Sequence, residues 1–200
     1  MVVAILLLLA LLLFPTLHST RAHAPRTQCH NNLREIGLVF KTWELGSRDD
    51  FVMVYSTNNG GTAELIDTGG VFVHFQLMSN ELRWPKILVC PDDKEKTVAT
   101  NLNSGFSDRN ISYFIGVDAR DPFQKMLLSG DRNLALNNQP LKPGLSAFVT
   151  NNPQLSWTKA IHNSCGNILF ADGSVEFTDS KSLSLAAQNQ AFATNRLAIP

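Results

Sequence analysis

The chain has 200 residues, 44% of them hydrophobic, with 17 basic and 17 acidic side chains and a formal net charge of zero. Once the N-terminal stretch is set aside, that length accommodates one domain of ordinary size. The charge balance argues against a nucleic-acid partner, which needs a basic footprint to displace counterions. The three cysteines, Cys29, Cys90 and Cys165, form no Cys-x-x-Cys pair, so a zinc-ribbon or thioredoxin-like site has little support.

Val2 to Leu17 is apolar and carries no charge. As a helix rising ~1.5 Å per residue it would cover roughly 24 Å, a little short of the ~30 Å hydrocarbon core of a bilayer. Ala22-His23-Ala24 supplies a small-x-small cleavage site, but no Lys or Arg precedes the run, so the pattern favours a retained anchor over a cleaved signal peptide. Beyond it, Cys29, Leu33, Ile36, Phe40 and Trp43 are spaced to share one helical stripe, with Arg34, Glu35 and Lys41 off it. Two arrangements fit. One is a single long helix bent near Pro15 and Pro25, where proline removes a backbone hydrogen bond. The other is a short anchor, a loop at Pro25 and a separate amphipathic helix. The chain then divides into 1–17, 18–45 and a globular body over 46–200.

The run ending in Leu11-Leu12-Leu13-Phe14-Pro15, then Arg21, Arg26, Cys29 and Asn31-Asn32-Leu33-Arg34-Glu35-Ile36-Gly37-Leu38, resembles a prepilin-type N-terminal segment. The similar proteins are bacterial type IV pilin-like pseudopilins, particularly those with a C-terminal His-x9-Asp-Gly motif. The resemblance implies a single-pass inner-membrane protein with its body in the periplasm, without catalysis or cofactor. Its partners would be other pilin-like subunits and the secretion or pilus assembly machinery, with Val2, Leu6, Leu9, Leu13 and Pro15 on the membrane and filament helix. It also implies a Cys29–Cys90 disulfide, since both positions resemble the family's cysteines; closing that loop would contribute roughly 3 to 4 kcal/mol. The alternative is that all three cysteines are buried small apolar residues. The family's basic leader, processing-site Gly and Phe-Thr-Leu-Ile-Glu stretch do not precede the run, so prepilin processing is not expected of the sequence as it stands. Arg21 and Arg26, C-terminal to the run, would by the positive-inside rule alone place the body in the cytoplasm. Either the start lies further upstream, which would remove both departures, or this copy has lost its processing site.

Down the chain, Gly46-Ser47-Arg48-Asp49-Asp50 reads as a polar turn, Phe51–Tyr55 as a short extended segment and Ser56–Thr62 as a glycine-rich loop without a phosphate-binding ending. Val71–Leu82 reads as a second helix, with His74 on its solvated side, and Lys86–Cys90 as a strand closed by Pro91-Asp92-Asp93. Ile111–Val117 and Lys125–Leu128 read as strands, 137–152 as loop, and Ser180–Phe192 as a helix capped by Asp179 or Ser180; Thr194–Pro200 shows no period. Tyr113–Ala119 and Leu128-Ser129-Gly130-Asp131-Arg132-Asn133 are further phrases similar to the same family. The fold class expected is α+β, pilin-like: a long N-terminal helix packed on an antiparallel sheet with a C-terminal hairpin.

That hairpin carries the most specific signal. Asp172-Gly173 between Ile168-Leu169-Phe170 and Val175-Glu176-Phe177 suits a two-residue type I′ turn, and His162 completes the family's His-x9-Asp-Gly motif. His162 and Asp172 are either a hydrogen-bonded or metal-binding pair, or a strand-entry residue and a turn former. Two other functions stand beside the structural subunit. A metal-dependent hydrolase would use His162 and Asp172 with Asp131 or His74, but no His-Glu-x-x-His spacing or nucleophile motif supports it. An anchored periplasmic binding module is the other, and it predicts a monomer. Some related pseudopilins bind calcium, for which Asp92, Asp93, Asp118 and Asp121 are candidates that serve equally as turn formers.

Overall fold

In the computed structural model the Cys29-to-Trp43 stripe is the buried face of α1 (Val2–Leu45), which continues through Pro25 without a loop. The structure describes residues 2–46 and 49–200, with side chains from Ala24 onward. The run Val2–Leu17, with Leu6, Leu9, Leu13 and Pro15, therefore falls outside the side chains described. Among the described residues no helix is long and apolar enough to cross a membrane.

The architecture is α+β. A short helix, α2 (Phe72–Leu77), precedes β1 (Tyr113–Gly116), β2 (Leu127–Asp131), β3 (Leu134–Leu136), β4 (Gln139–Pro140), β5 (Gly144–Val149), β6 (Leu155–Trp157), β7 (Cys165–Phe170) and β8 (Val175–Asp179). After β8 come α3 (Ser180–Gln188), whose first turn Asp179 caps by accepting from the Ser182 N–H, and β9 (Thr194–Ile199). The main sheet runs β5-β9-β1-β2-β7-β8 with antiparallel pairings, and a small second sheet runs β4-β3-β6.

The central strands are covered on both faces, which is why their sequences read as continuous apolar runs. Tyr113, Ile115, Leu128, Leu169 and Ala198 join Leu33, Ile36 and Phe40 of α1 in one core. Phe114, Leu127, Ile168, Phe170 and Leu197 join Leu183 and Ala187 of α3 in a second, on the opposite face. Successive residues point to opposite faces, as a pleat demands. A side chain at Gly37 would put its Cβ 2.9 Å from the Leu169 side chain, so glycine there lets α1 lie close over β7.

Several sequence expectations are corrected. Lys86–Cys90 is no strand: Pro85–Leu88 is a 3-10 turn, because short apolar runs do not distinguish a strand from any other buried segment. Phe51–Met53 forms a buried turn, with Val54 N–H donating to Phe51 O. The supposed loop at 137–152 contains β4 and β5, and the tail forms β9, held between β5 and β1. At the hairpin tip Gly173 has φ 81° and donates to Phe170 O, whereas Asp172 keeps a negative φ. The turn therefore uses a single left-handed glycine, not the two positive angles of type I′.

His74 is also corrected, being buried and not solvated. Thr62 Oγ1 donates to Val52 O and lies 2.8 Å from His74 Nδ1, so the ring donates through Nδ1–H and keeps a buried Nε2 without a hydrogen-bond partner. Burial pushes its pKa down to about 4. Its stability contribution is complete above the unfolded value of ~6.5 and is lost as pH falls toward 4, about 3 kcal/mol in all. Urea unfolding at pH 7.5 and 4.5 should show the wild type losing most of that amount beyond what His74→Gln loses. Equal losses would mean the imidazole is not buried neutral.

Candidate functional site

The site is where α1 meets the sheet. Cys29 of α1 is disulfide-bonded to Cys90, 61 positions along the chain, and both are buried. One turn on, Asn32 donates through Nδ2 to Val89 O at 3.1 Å and to the Tyr113 hydroxyl at 3.2 Å. Burial raises the Tyr113 pKa well above its usual value, and the Asp131 charge adds to this.

Asp131 faces the same side because it is the cross-strand partner of Tyr113. Its carboxylate is fully buried; Oδ2 accepts from Asn167 N at 2.7 Å and from Asn167 Nδ2 at 2.9 Å. Burial pushes its pKa up to about 7, although the two Asn167 N–H groups oppose the shift.

His162 closes the cluster. Its ring is 2% exposed, with Nε2 3.4 Å from Cys90 Sγ and 3.5 Å from Asp131 Oδ2. Asp92 Oδ2 accepts the His162 backbone N–H at 3.0 Å and lies 3.2 Å from Nδ1, so one carboxylate oxygen grips the residue twice. Burial lowers the His162 pKa, partly offset by Asp92. His162, Asn163 and Ser164 all adopt positive φ, at 53°, 53° and 65°. Three left-handed L-residues in a row cost roughly 1–2 kcal/mol each. The loop holds that conformation against Asn133, whose Nδ2 donates to Thr158 O, Ile161 O and Cys165 O.

Arg132 completes the lock from outside, bidentate to Asp93 at 2.7 and 2.8 Å and reaching Glu95 at 2.7 Å. Burial alone would raise the Asp93 pKa; the guanidinium brings it below its usual value. Cys90, Asp92 and Asp93 thus engage α1, the His162 loop and Arg132, the residue just after β2, from within a few residues of one another.

His162 and Asp172 have different partners. Asp172 Oδ2 accepts from Lys125 Nζ at 2.9 Å and Oδ1 from Ser174 N at 2.8 Å, as a turn residue beside Gly173. The calcium candidates are likewise engaged separately: Asp92 by His162, Asp93 by Arg132, Asp118 by Arg196 and Asp121 by Lys41. Asn32, Asn133 and Asn167 went unassigned at the sequence level, and Asp92 was read only as a turn former or calcium candidate, not as the partner of His162. Asn32, Tyr113, Asp131 and Asn133 all lie in phrases singled out there, and those phrases converge in space.

The chain matches no family model, no curated protein and no solved structure.

Proposed function

We propose that this chain is a membrane-anchored structural subunit, pseudopilin-like, of a type II secretion or type IV pilus-like apparatus, its body periplasmic and its role non-enzymatic. The observation that carries the reading is α1 itself. Cys29, Leu33, Ile36 and Phe40 are completely buried on the sheet, while the same helix begins in the charge-free run Val2–Leu17. A helix fixed to its domain at one end and apolar all round at the other is built to be buried at both.

The buried cluster fits an attachment better than a catalytic centre. His162 and Asp131 offer a substrate almost no accessible surface, and Asp172 is engaged elsewhere. Contact surface is available on the outer side of the helix, where Leu38 is 60% exposed beside a groove of about 550 Å³ lined by Asn32, Glu35, Val39 and a 72% exposed Trp84.

Photo-crosslinkers at Leu6, Leu9 and Leu13 of the full chain in its native membrane provide the test. Crosslinks to other copies or to pilin-like subunits, with the body digested by protease from the periplasmic side, are expected. Crosslinks to lipid alone would favour a monomeric binding module, and a protease-protected body would reverse the topology.

A further inference from the structure

Cys29, Cys90, Asp131 and His162 each offer one ligand atom, all within 4.8 Å of one another, and all four residues are buried. In a tetrahedron with metal–sulfur bonds of about 2.3 Å and metal–nitrogen or metal–oxygen bonds of about 2.0 Å, the S···N edge is about 3.5 Å and the N···O edge about 3.3 Å. The His162 Nε2 distances to Cys90 Sγ and Asp131 Oδ2, 3.4 and 3.5 Å, have that scale already.

Two further observations point to a ligand. Asp92 holds Nδ1 of His162 at 3.2 Å, the carboxylate–imidazole arrangement that fixes the Nδ1–H tautomer and turns the Nε2 lone pair toward the cluster. Asp131, fully buried, keeps Oδ1 without a hydrogen-bond partner. An unpaired carboxylate oxygen is expensive in an apolar interior and is what a dication would satisfy.

We propose that the reduced chain binds one zinc-like divalent cation through Cys29 Sγ, Cys90 Sγ, His162 Nε2 and one Asp131 oxygen, making disulfide and metal alternative locks between α1 and the sheet. A dithiol reductant supplies two electrons and two protons, becoming a disulfide as Cys29 and Cys90 become thiols. The metal then displaces both thiol protons to solvent and takes the thiolates as ligands. Two sulfurs, one imidazole nitrogen and one carboxylate oxygen suit zinc, and the enclosed position suits a structural, four-coordinate site with no opening for substrate. The inference rests on the cluster and stands independently of the pseudopilin reading.

The full chain in detergent is reduced with dithiothreitol, freed of it under anaerobic conditions, and titrated with Co²⁺ and then Zn²⁺. One Co²⁺ per chain, with intense tetrahedral visible bands and a thiolate charge-transfer band, both erased by Zn²⁺, is expected; the oxidised chain should show neither. Zn²⁺ should slow alkylation of Cys29 and Cys90 about tenfold or more while leaving the half-buried Cys165 unchanged. In His162→Asn, where asparagine tolerates the left-handed backbone, Co²⁺ affinity should fall at least about tenfold. Reduced wild type that takes up no stoichiometric Co²⁺, binds it with weak octahedral bands, or is alkylated equally with and without Zn²⁺ overturns the proposal. Full affinity in His162→Asn also overturns it.

Discussion

Truncating Phe40 to Ala is expected to cost the fold about 3–5 kcal/mol, the range for a buried aromatic whose cavity cannot fully collapse. Phe40 is completely buried in the middle of the α1 stripe, with ring centroids 5.8 Å from Phe51 and 6.1 Å from Phe75. Those two rings belong to the turn and short helix over 51–77, so the residue joins three segments and not merely a helix to a sheet. Leu38→Ala on the exposed side of the same helix makes the comparison, and should stay within about 0.5 kcal/mol of wild type. Urea unfolding of the full chain in detergent measures both. Similar midpoints for the two variants would mean that the stripe does not anchor α1 to the domain.

That stripe was legible because helical periodicity is a local signal. Cys29, Leu33, Ile36, Phe40 and Trp43 announce a face without reference to what covers it. Asp172-Gly173 was legible for the same reason, although its side chains could not say whether one or both residues would turn left-handed. β9 was hidden because Thr194-Asn195-Arg196 opens it with polar residues, one of them pairing with Asp118 from outside the strand. Its order comes from β5 and β1, which lie far away in sequence. His74 failed in the same way: nothing near it predicts that Thr62 will accept its Nδ1–H.

The site divides along this line too. Cys29, Cys90 and His162 were marked individually, and the family-like phrases marked their surroundings. What no single sequence contains is that Asp92 would hold His162 across 70 positions, or that Asp131 would be turned inward because Tyr113 stands opposite it. These pairings are set by strand register and loop path, which fix distance only after the chain has folded.

Replacing Cys29 and Cys90 together by Ala should lower stability by about 4 kcal/mol, since their 61-residue separation sets the loop entropy that the disulfide removes from the unfolded chain. The substitution leaves Asn32 free to bond Val89 and Tyr113, so α1 should remain docked while unfolding at lower urea. A loss below about 1 kcal/mol would show that the unfolded chain already keeps the two segments close. The double variant also separates two meanings of a zinc effect. Reduced wild type offers both thiolates, so saturating Zn²⁺ should raise its urea midpoint, because a ligand that binds only the folded state stabilises it by mass action. The double variant lacks both sulfurs, and Asp131 with His162 alone makes a poor zinc site, so its midpoint should not move. A rise of equal size in both would place the zinc elsewhere on the chain and leave the disulfide as the sole lock at this position.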